Sequence, residues 1–487
     1  MLHLLMIALV LVLFLHDAPM VSALRVSGGG WSGAIMGLGG PLLLALLAQA
    51  WVMRCASKCE KTGSGLYVFR DDAGIMVTRV GIVLTHALSV LVLGWLDTLR
   101  SAMGGAYMLP ELAALVAPTL AITAGWWSFY PLDRRMRQAR LFASIEEGDT
   151  IYPERTRAGY VLDQFRHHAM LALTPLVMIL AWHQALLLIA TRAGWSLHEP
   201  GPAMAYSAVQ IAGVGVVFLF TPPIMRYIWS TRRLGPGELR ERLDVMCAAH
   251  KVRHRGVLVW RTHGTMMNGA VMGLIAPVRY ILLTDALLDK MPDRQLEAVM
   301  AHEIAHVRRR HLLWLLGAMG AALLLAGGAV SLAALPVERL VGQPYDALVR
   351  LVADAAAFVL SILFALWVFG MVSRRFERQA DAFAVQHFSG MTSDPESARG
   401  RTVEPEAVDA MVGALQTVAD LNMIPTRKHF WRHGSIADRQ RRLMRLVGLP
   451  VRPLPIDREV AVIKVATLVT LGVVLGIMAW RVIAELT

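Results

Sequence analysis

Apolar residues run in long, nearly unbroken blocks along this chain, well beyond the reach of a buried strand or an ordinary amphipathic helix. Leu-, Ala- and Val-rich stretches at 33–53, 75–97, 108–130, 168–191, 205–229, 312–335, 350–371 and 462–484 are long enough for a helix to cross ~30 Å of hydrocarbon. A ninth, Leu2–Leu15, is shorter. In lipid the backbone N–H and C=O groups must pair within one helix or around a closed barrel, and these blocks are too long for barrel strands. The pattern predicts a mainly α, polytopic membrane protein of about eight or nine spans.

Two long polar segments interrupt the blocks, 230–311 and 372–460. In the first, Glu238–His250 has helical periodicity, while Gly256–Trp260, residues 266–274 and Arg279–Leu283 read as β-type runs. The turn signal Thr284-Asp285 leads to a short helix at Ala286–Lys290. From Arg294 to His311 no breaker occurs, which predicts one helix running straight into the span at 312. Residues 392–407 read as an exposed loop. The organisation expected is an N-terminal span or signal-like segment (1–23), a membrane helical block (24–229), a small α+β segment (230–311), a transmembrane hairpin (312–371), a second polar segment (372–460) and a C-terminal span (461–487).

Charge changes this picture only by orienting it. The chain has 487 residues, 17% of them charged, and a net charge of +12, which by itself invites a nucleic-acid partner. The basic residues, however, gather in alternate loops: Arg54, Lys58, Lys61, Arg70 and Arg79 in one, Arg134, Arg135, Arg137, Arg140, Arg155, Arg157 and Arg166 in another, with more in 230–311. The intervening loops carry little beyond Arg25, Arg100, Arg192 and Arg339. That alternation follows the positive-inside rule, so membrane insertion accounts for the basicity and both polar segments are expected in the cytoplasm. No nucleic-acid partner is expected. Val21-Ser22-Ala23 resembles a signal cleavage site, but no Lys or Arg precedes the apolar core at Leu2–Leu15. Cys55, Cys59 and Cys247 fall in segments expected to be cytoplasmic, where structural disulfides are rare, and the Cys55/Cys59 spacing has no second ligand pair nearby. His86, His183 and Asp354 lie within apolar spans, where a satisfied interhelical hydrogen bond is the ordinary reading.

Residues 302–306 read His-Glu-Ile-Ala-His. On a helix, positions four apart share a face, so both imidazoles can reach one zinc ion while Glu303 stands beside it as a proton acceptor. Such a match arises by chance in ~2% of chains of this composition. A catalytic zinc needs a third protein ligand, and the longer HExxHxxGxxH pattern is absent because Arg309 and Leu312 occupy its further positions. Two spans later comes Ser373-Arg374-Arg375-Phe376-Glu377-Arg378-Gln379-Ala380-Asp381, which a hairpin of the two spans returns to the same membrane surface. Glu377 would complete a His₂Glu set, and Asp381, four residues on, would accept from an imidazole N–H.

Together these motifs resemble the integral-membrane gluzincin peptidases, comprising the type I CAAX prenyl endopeptidases and the HtpX-like quality-control peptidases, over about residues 230–445. The resemblance implies a zinc metalloendopeptidase with one Zn²⁺ per chain, acting on peptide or membrane-protein substrates at the lipid bilayer. It also implies a substrate contact at Asn268 and transition-state stabilisation by His433 and Arg439. The chain departs from the family where Gly269 replaces the usual Ala after Asn268 and Gly434 the usual Pro after His433. A signalling peptidase, a zinc-retaining scaffold and a transporter are the competing readings; the intact Glu303 counts against a scaffold, and the short outer loops count against a sensor. The oligomeric state is left open.

Overall fold

The computed structural model describes residues 2–17, 19–22, 25–26, 30–62, 66–104, 107–146, 151–196, 199–264, 266–341, 346–422 and 424–486. Among them eight helices are long and apolar enough to cross a membrane, and Leu5–Leu15 is a shorter apolar one. The chain divides into two compact units, Met1–Ser230 and Thr231–Thr487.

The first unit is all helical and holds five of the eight candidate spans. Its short N-terminal helix, Leu2–Leu15, is packed rather than peripheral, with Met6, Leu9 and Val10 fully buried. His86 Nε2 lies 3.1 Å from the Leu9 carbonyl, and beyond the helix Arg100 bridges Asp17 and Glu111. His183 Nδ1 meets the Tyr206 hydroxyl at 3.2 Å. Both intramembrane histidines thus have ordinary interhelical partners. Ala23 of the cleavage-like triplet and the side chain of Asp354 lie outside the described residues. None of the three cysteines forms a disulfide.

The second unit carries the candidate chemistry, and its elements are numbered within it. A four-stranded sheet is formed by β1 (Thr231–Arg233), β2 (Gly256–Trp260), β3 (Gly269–Met272) and β4 (Tyr280–Thr284), in the order β1-β2-β4-β3. β2 and β4 pair in parallel and are buried along their whole length, as their continuous apolar runs require. β3 pairs antiparallel with β4 and leaves its other edge without a strand partner, with every residue half-buried. The helices are α1 (Glu238–Ala249), α2 (Asp285–Lys290), α3 (Asp293–Arg308), α4 (His311–Val341), α5 (Asp346–Phe388), α6 (Pro405–Leu421), α7 (Ile436–Met444) and α8 (Pro455–Leu486). One apolar core joins the inner faces of α3, α5 and α6 to the sheet, centred on Ile281, Met300, Ile304, Ala380 and Met411.

Three features differ from the expectations. The helix of 294–311 does not run straight into the membrane: α3 ends at Arg308, Arg310 takes a left-handed backbone (φ 55°), and α4 starts afresh at His311. Nothing in the Arg308-Arg309-Arg310 run breaks a helix intrinsically, so tertiary packing imposes the turn. Conversely, the boundary drawn at 371/372 falls inside a single 43-residue helix, α5, which continues from an apolar span through Glu377 and Asp381. In 392–407 the exposed loop is interrupted by buried Val403 and Ala407, which pin it against the core.

Candidate metal centre

Three side chains from two helices converge here. His302 and His306 project from one face of α3, and Glu377 meets them from α5. The two Nε2 atoms are 3.2 Å apart, and each lies 3.7 Å from a different Glu377 oxygen. Ligands bound tetrahedrally at ~2.0–2.1 Å stand roughly 3.4 Å from one another, so the spacing of this donor set fits zinc. Among the described residues no other group of His, Cys, Asp and Glu has this form.

The outer nitrogens of both imidazoles are also held. His302 Nδ1 lies 2.9 Å from Asp381 Oδ1, although the approach is out of line with the ring N–H. Asp381 in turn accepts both arms of the Arg439 guanidinium, Nε at 2.8 Å and a terminal nitrogen at 2.6 Å. Burial alone would depress His302, but the neighbouring Asp381 carboxylate outweighs it and raises the group. At His306, burial and the adjacent His302 outweigh the Glu377 and Asp381 carboxylates and lower the group to about 4. It is held neutral, the form a metal ligand needs.

Glu303 flanks the ligand face of α3 and reaches β3, where its Oε2 accepts from the Val271 N–H at 3.2 Å. Burial pushes its carboxyl up to about 7. His433 Nδ1 sits 3.1 Å from Glu377 Oε2, and Arg439 approaches the same oxygen only to 3.7 Å. Its fork belongs to Asp381. Asn268 is exposed beside the cavity, and its backbone is fixed twice: its N–H donates to Thr284 Oγ1, and its carbonyl accepts from the Thr284 N–H. A Cβ on Gly269 would come within 2.9 Å of Val299 Cγ1, so the departure from Ala lets β3 lie close against α3. All of these groups, Asp381 excepted, border or line one cavity of about 990 Å³ that also takes in Met411, Leu415 and Val418 of α6.

Residues 235–407 match Peptidase family M48, a span that includes His302, Glu303, His306, Glu377 and Asp381. This segment is a peptidase family M48 domain. The integral-membrane gluzincin resemblance carried by the motifs is thus the family that the match returns. A protease HtpX homolog of Aeropyrum pernix is 26% identical over 221 residues, 42% of this chain and 65% of that relative. Just under two thirds of the relative's length is therefore matched. The crystal structure of S. mikatae Ste24p superposes on 84% of this chain and 98% of its own, with a TM-score of 0.45 and 12% identity.

The second unit holds two residues around the centre that sequence reasoning missed. The first is His311, whose Nδ1 lies 3.0 Å from His306 Nδ1 and whose Nε2 lies 3.0 Å from Gln379 Oε1. Gln379 Nε2 then donates to Asp457 Oδ1 at 2.6 Å, in the first turn of α8. On an unbroken helix residues 306 and 311 point roughly 140° apart. Only the turn at Arg310 brings the second ring back onto the first, which is why no periodicity argument finds it. The second is Asn422, at the end of α6, whose amide exchanges two 3.0 Å hydrogen bonds with the Met267 backbone and so sets the register of the residue before Asn268. No sequence signal marks it.

Proposed function

We propose that this chain is a membrane-embedded zinc metalloendopeptidase that hydrolyses peptide bonds of membrane-associated or misfolded proteins at the cytoplasmic side. The observation that carries the reading is the pairing of a His302–His306–Glu377 cluster of zinc-ligand spacing with a half-buried carboxylate, Glu303, between that cluster and a free strand edge. A structural zinc site has no use for a carboxylate placed to take a proton.

When bound, zinc held by His302, His306 and Glu377 supplies Lewis-acid polarisation and a more acidic water. Glu303 accepts the proton of the attacking water and delivers it to the leaving amine. A carboxyl held near 7 is suited to both halves of that transfer. His433 stands on the open side of Glu377 and donates to the oxyanion as charge develops. Arg439 acts by holding Asp381, and Asp381 holds His302. The substrate lies extended along the free edge of β3, adding main-chain hydrogen bonds next to Asn268. Such binding tolerates varied sequences, as a degradative or processing peptidase needs.

Purified protein in detergent is expected to contain one zinc per chain and to cleave unfolded casein. Activity should vanish on exhaustive chelation and return with added zinc. Zinc retained at full occupancy without turnover on casein or any unfolded membrane protein favours the scaffold reading.

The path from His306 through His311 and Gln379 to Asp457 runs in one direction as a chain of donors once His306 Nε2 faces the metal. Its Nδ1–H donates to His311, His311 Nε2–H to Gln379, and the Gln379 amide to a carboxylate. Losing an outer partner of a ligating imidazole typically costs ~10–100-fold in metal affinity. His311→Ala and Asp457→Asn should each weaken zinc within that range in a chelator competition. Unchanged affinity in both would assign the path to helix packing alone.

A further inference from the structure

The geometry points to a cleft that sorts its substrate by charge along its length, taking an extended peptide whose residues N-terminal to the scissile bond are acidic. The inference rests on the peptidase reading above.

β3 and α3 run side by side in the same direction. Val299 abuts Gly269, and one turn later Glu303 meets Val271. A further turn on, Val307 lines the cavity together with Gly273 and Leu274. The cavity therefore has two ends that can be told apart by sequence. Around Asn268 and Gly269 the lining is apolar: Val299, Met411, Ala414, Leu415 and Val418. Past Met272 it takes in four cations, Lys251, Arg279, Arg308 and Arg310, set among apolar residues such as Leu274, Ile275 and Leu312. The Arg279 guanidinium donates to the carbonyls of Gly273, Leu274 and Arg253, which ties this cation to the strand's far end.

Lys251, Arg308 and Arg310 are exposed, and among the described residues none has a carboxylate within ion-pair distance. Elsewhere in this unit arginines are commonly matched: Arg242 faces Asp293 and Glu297, Arg439 faces Asp381, and Arg442 faces Asp438. The carboxylates that line the cavity are Glu303 and Glu377, both at the metal centre. Unpaired cations gathered at one end of a substrate-sized cleft leave a field that an anionic partner fills.

Strand direction decides which side of the substrate meets that field. Antiparallel pairing is the more stable per residue. A peptide added to the free edge of β3 in that sense runs from the Met272 end towards Asn268. Its N-terminal residues therefore pass Gly273–Ala276 and the cations, while the residues after the scissile bond enter the apolar end. At ~3.3 Å per residue, positions about two to five before the scissile bond reach the basic lining.

The test is a set of matched peptides cleaved by the full-length zinc-loaded protein in detergent. One carries two Glu two to five residues before the cleaved bond, one has Gln there, and one has the Glu pair at the same distance after it. The first should show roughly 10-fold higher kcat/KM than the second at low salt, with the gap closing as ionic strength rises. In Arg308→Gln/Arg310→Gln the ratio should fall towards one, with zinc content reporting that the centre is intact. Equal rates for Glu and Gln peptides, or a preference for Glu after the cleaved bond, overturn the inference while leaving the peptidase reading in place. A flat selectivity in which the double variant changes only the response to anionic lipid in nanodiscs assigns the cations to headgroups, and also overturns it. Failure to cleave any peptide would instead strike the peptidase reading itself.

Discussion

Glu303→Gln should lose ~10²- to 10⁴-fold in kcat, the usual contribution of a positioned general base, while binding zinc as the wild type does. The substitution is nearly isosteric, and an amide oxygen can still accept from the Val271 N–H that Glu303 meets at 3.2 Å. What it removes is the ability to take up a proton. The carboxyl is well adapted to that task, because burial already pushes it up to about 7, between the pKa of an ordinary carboxylic acid and that of a base too strong to release its proton. Casein hydrolysis and metal content measured on the same preparation separate the two properties. Full activity in the variant would overturn the assignment of Glu303 as base, and loss of zinc alongside activity would place Glu303 in the metal site instead.

Glu377→Ala should empty the centre. Its carboxylate supplies the cluster's negative charge and lies within 3.7 Å of both ligand nitrogens. Without it two imidazoles remain, which is one ligand short of a catalytic zinc set. The loss in zinc affinity should exceed the ~10–100-fold expected for an outer partner, and hydrolysis should fall to background. The carboxylate also faces His433 at 3.1 Å, so its removal takes away that ring's partner, while Arg439 keeps its fork on Asp381. Glu377→Gln, which keeps the shape and removes the charge, distinguishes loss of the ligand from loss of packing. Metal analysis after dialysis against graded chelator reads both. Stoichiometric zinc in the alanine variant would mean that the third ligand lies elsewhere.

Much of this protein was legible in order along the chain because it is dictated locally. A block such as 312–335 has to be a membrane helix whatever surrounds it, since lipid offers its backbone no other partner. The spacing of His302 and His306 puts both on one face of any helix that forms there. The strands at Gly256–Trp260 and Arg279–Leu283 were likewise readable as continuous apolar runs, and they became the two buried central strands of the sheet. Glu377 was reachable by one further step, because two consecutive spans return the chain to the surface it left.

What the sequence by itself determined, then, were the spans, the face shared by His302 and His306, and the candidates for the rest of the site. Tertiary structure alone decided how those candidates are employed. Arg439 was expected at the transition state, yet its fork is committed to a buried aspartate, a pairing between residues 58 positions apart that no local pattern encodes. β1 was too short to announce itself and exists because β2 offers it an edge. His311 joins the centre only because packing forces Arg310 into a left-handed turn that its own type disfavours, so the helix stops where its sequence would have carried on. The physical reason is the same in each case. Local backbone preferences amount to tenths of a kcal/mol per residue, whereas a buried carboxylate or imidazole left without its partner costs ~1–3 kcal/mol or more, so the long-range partners prevail where the two conflict.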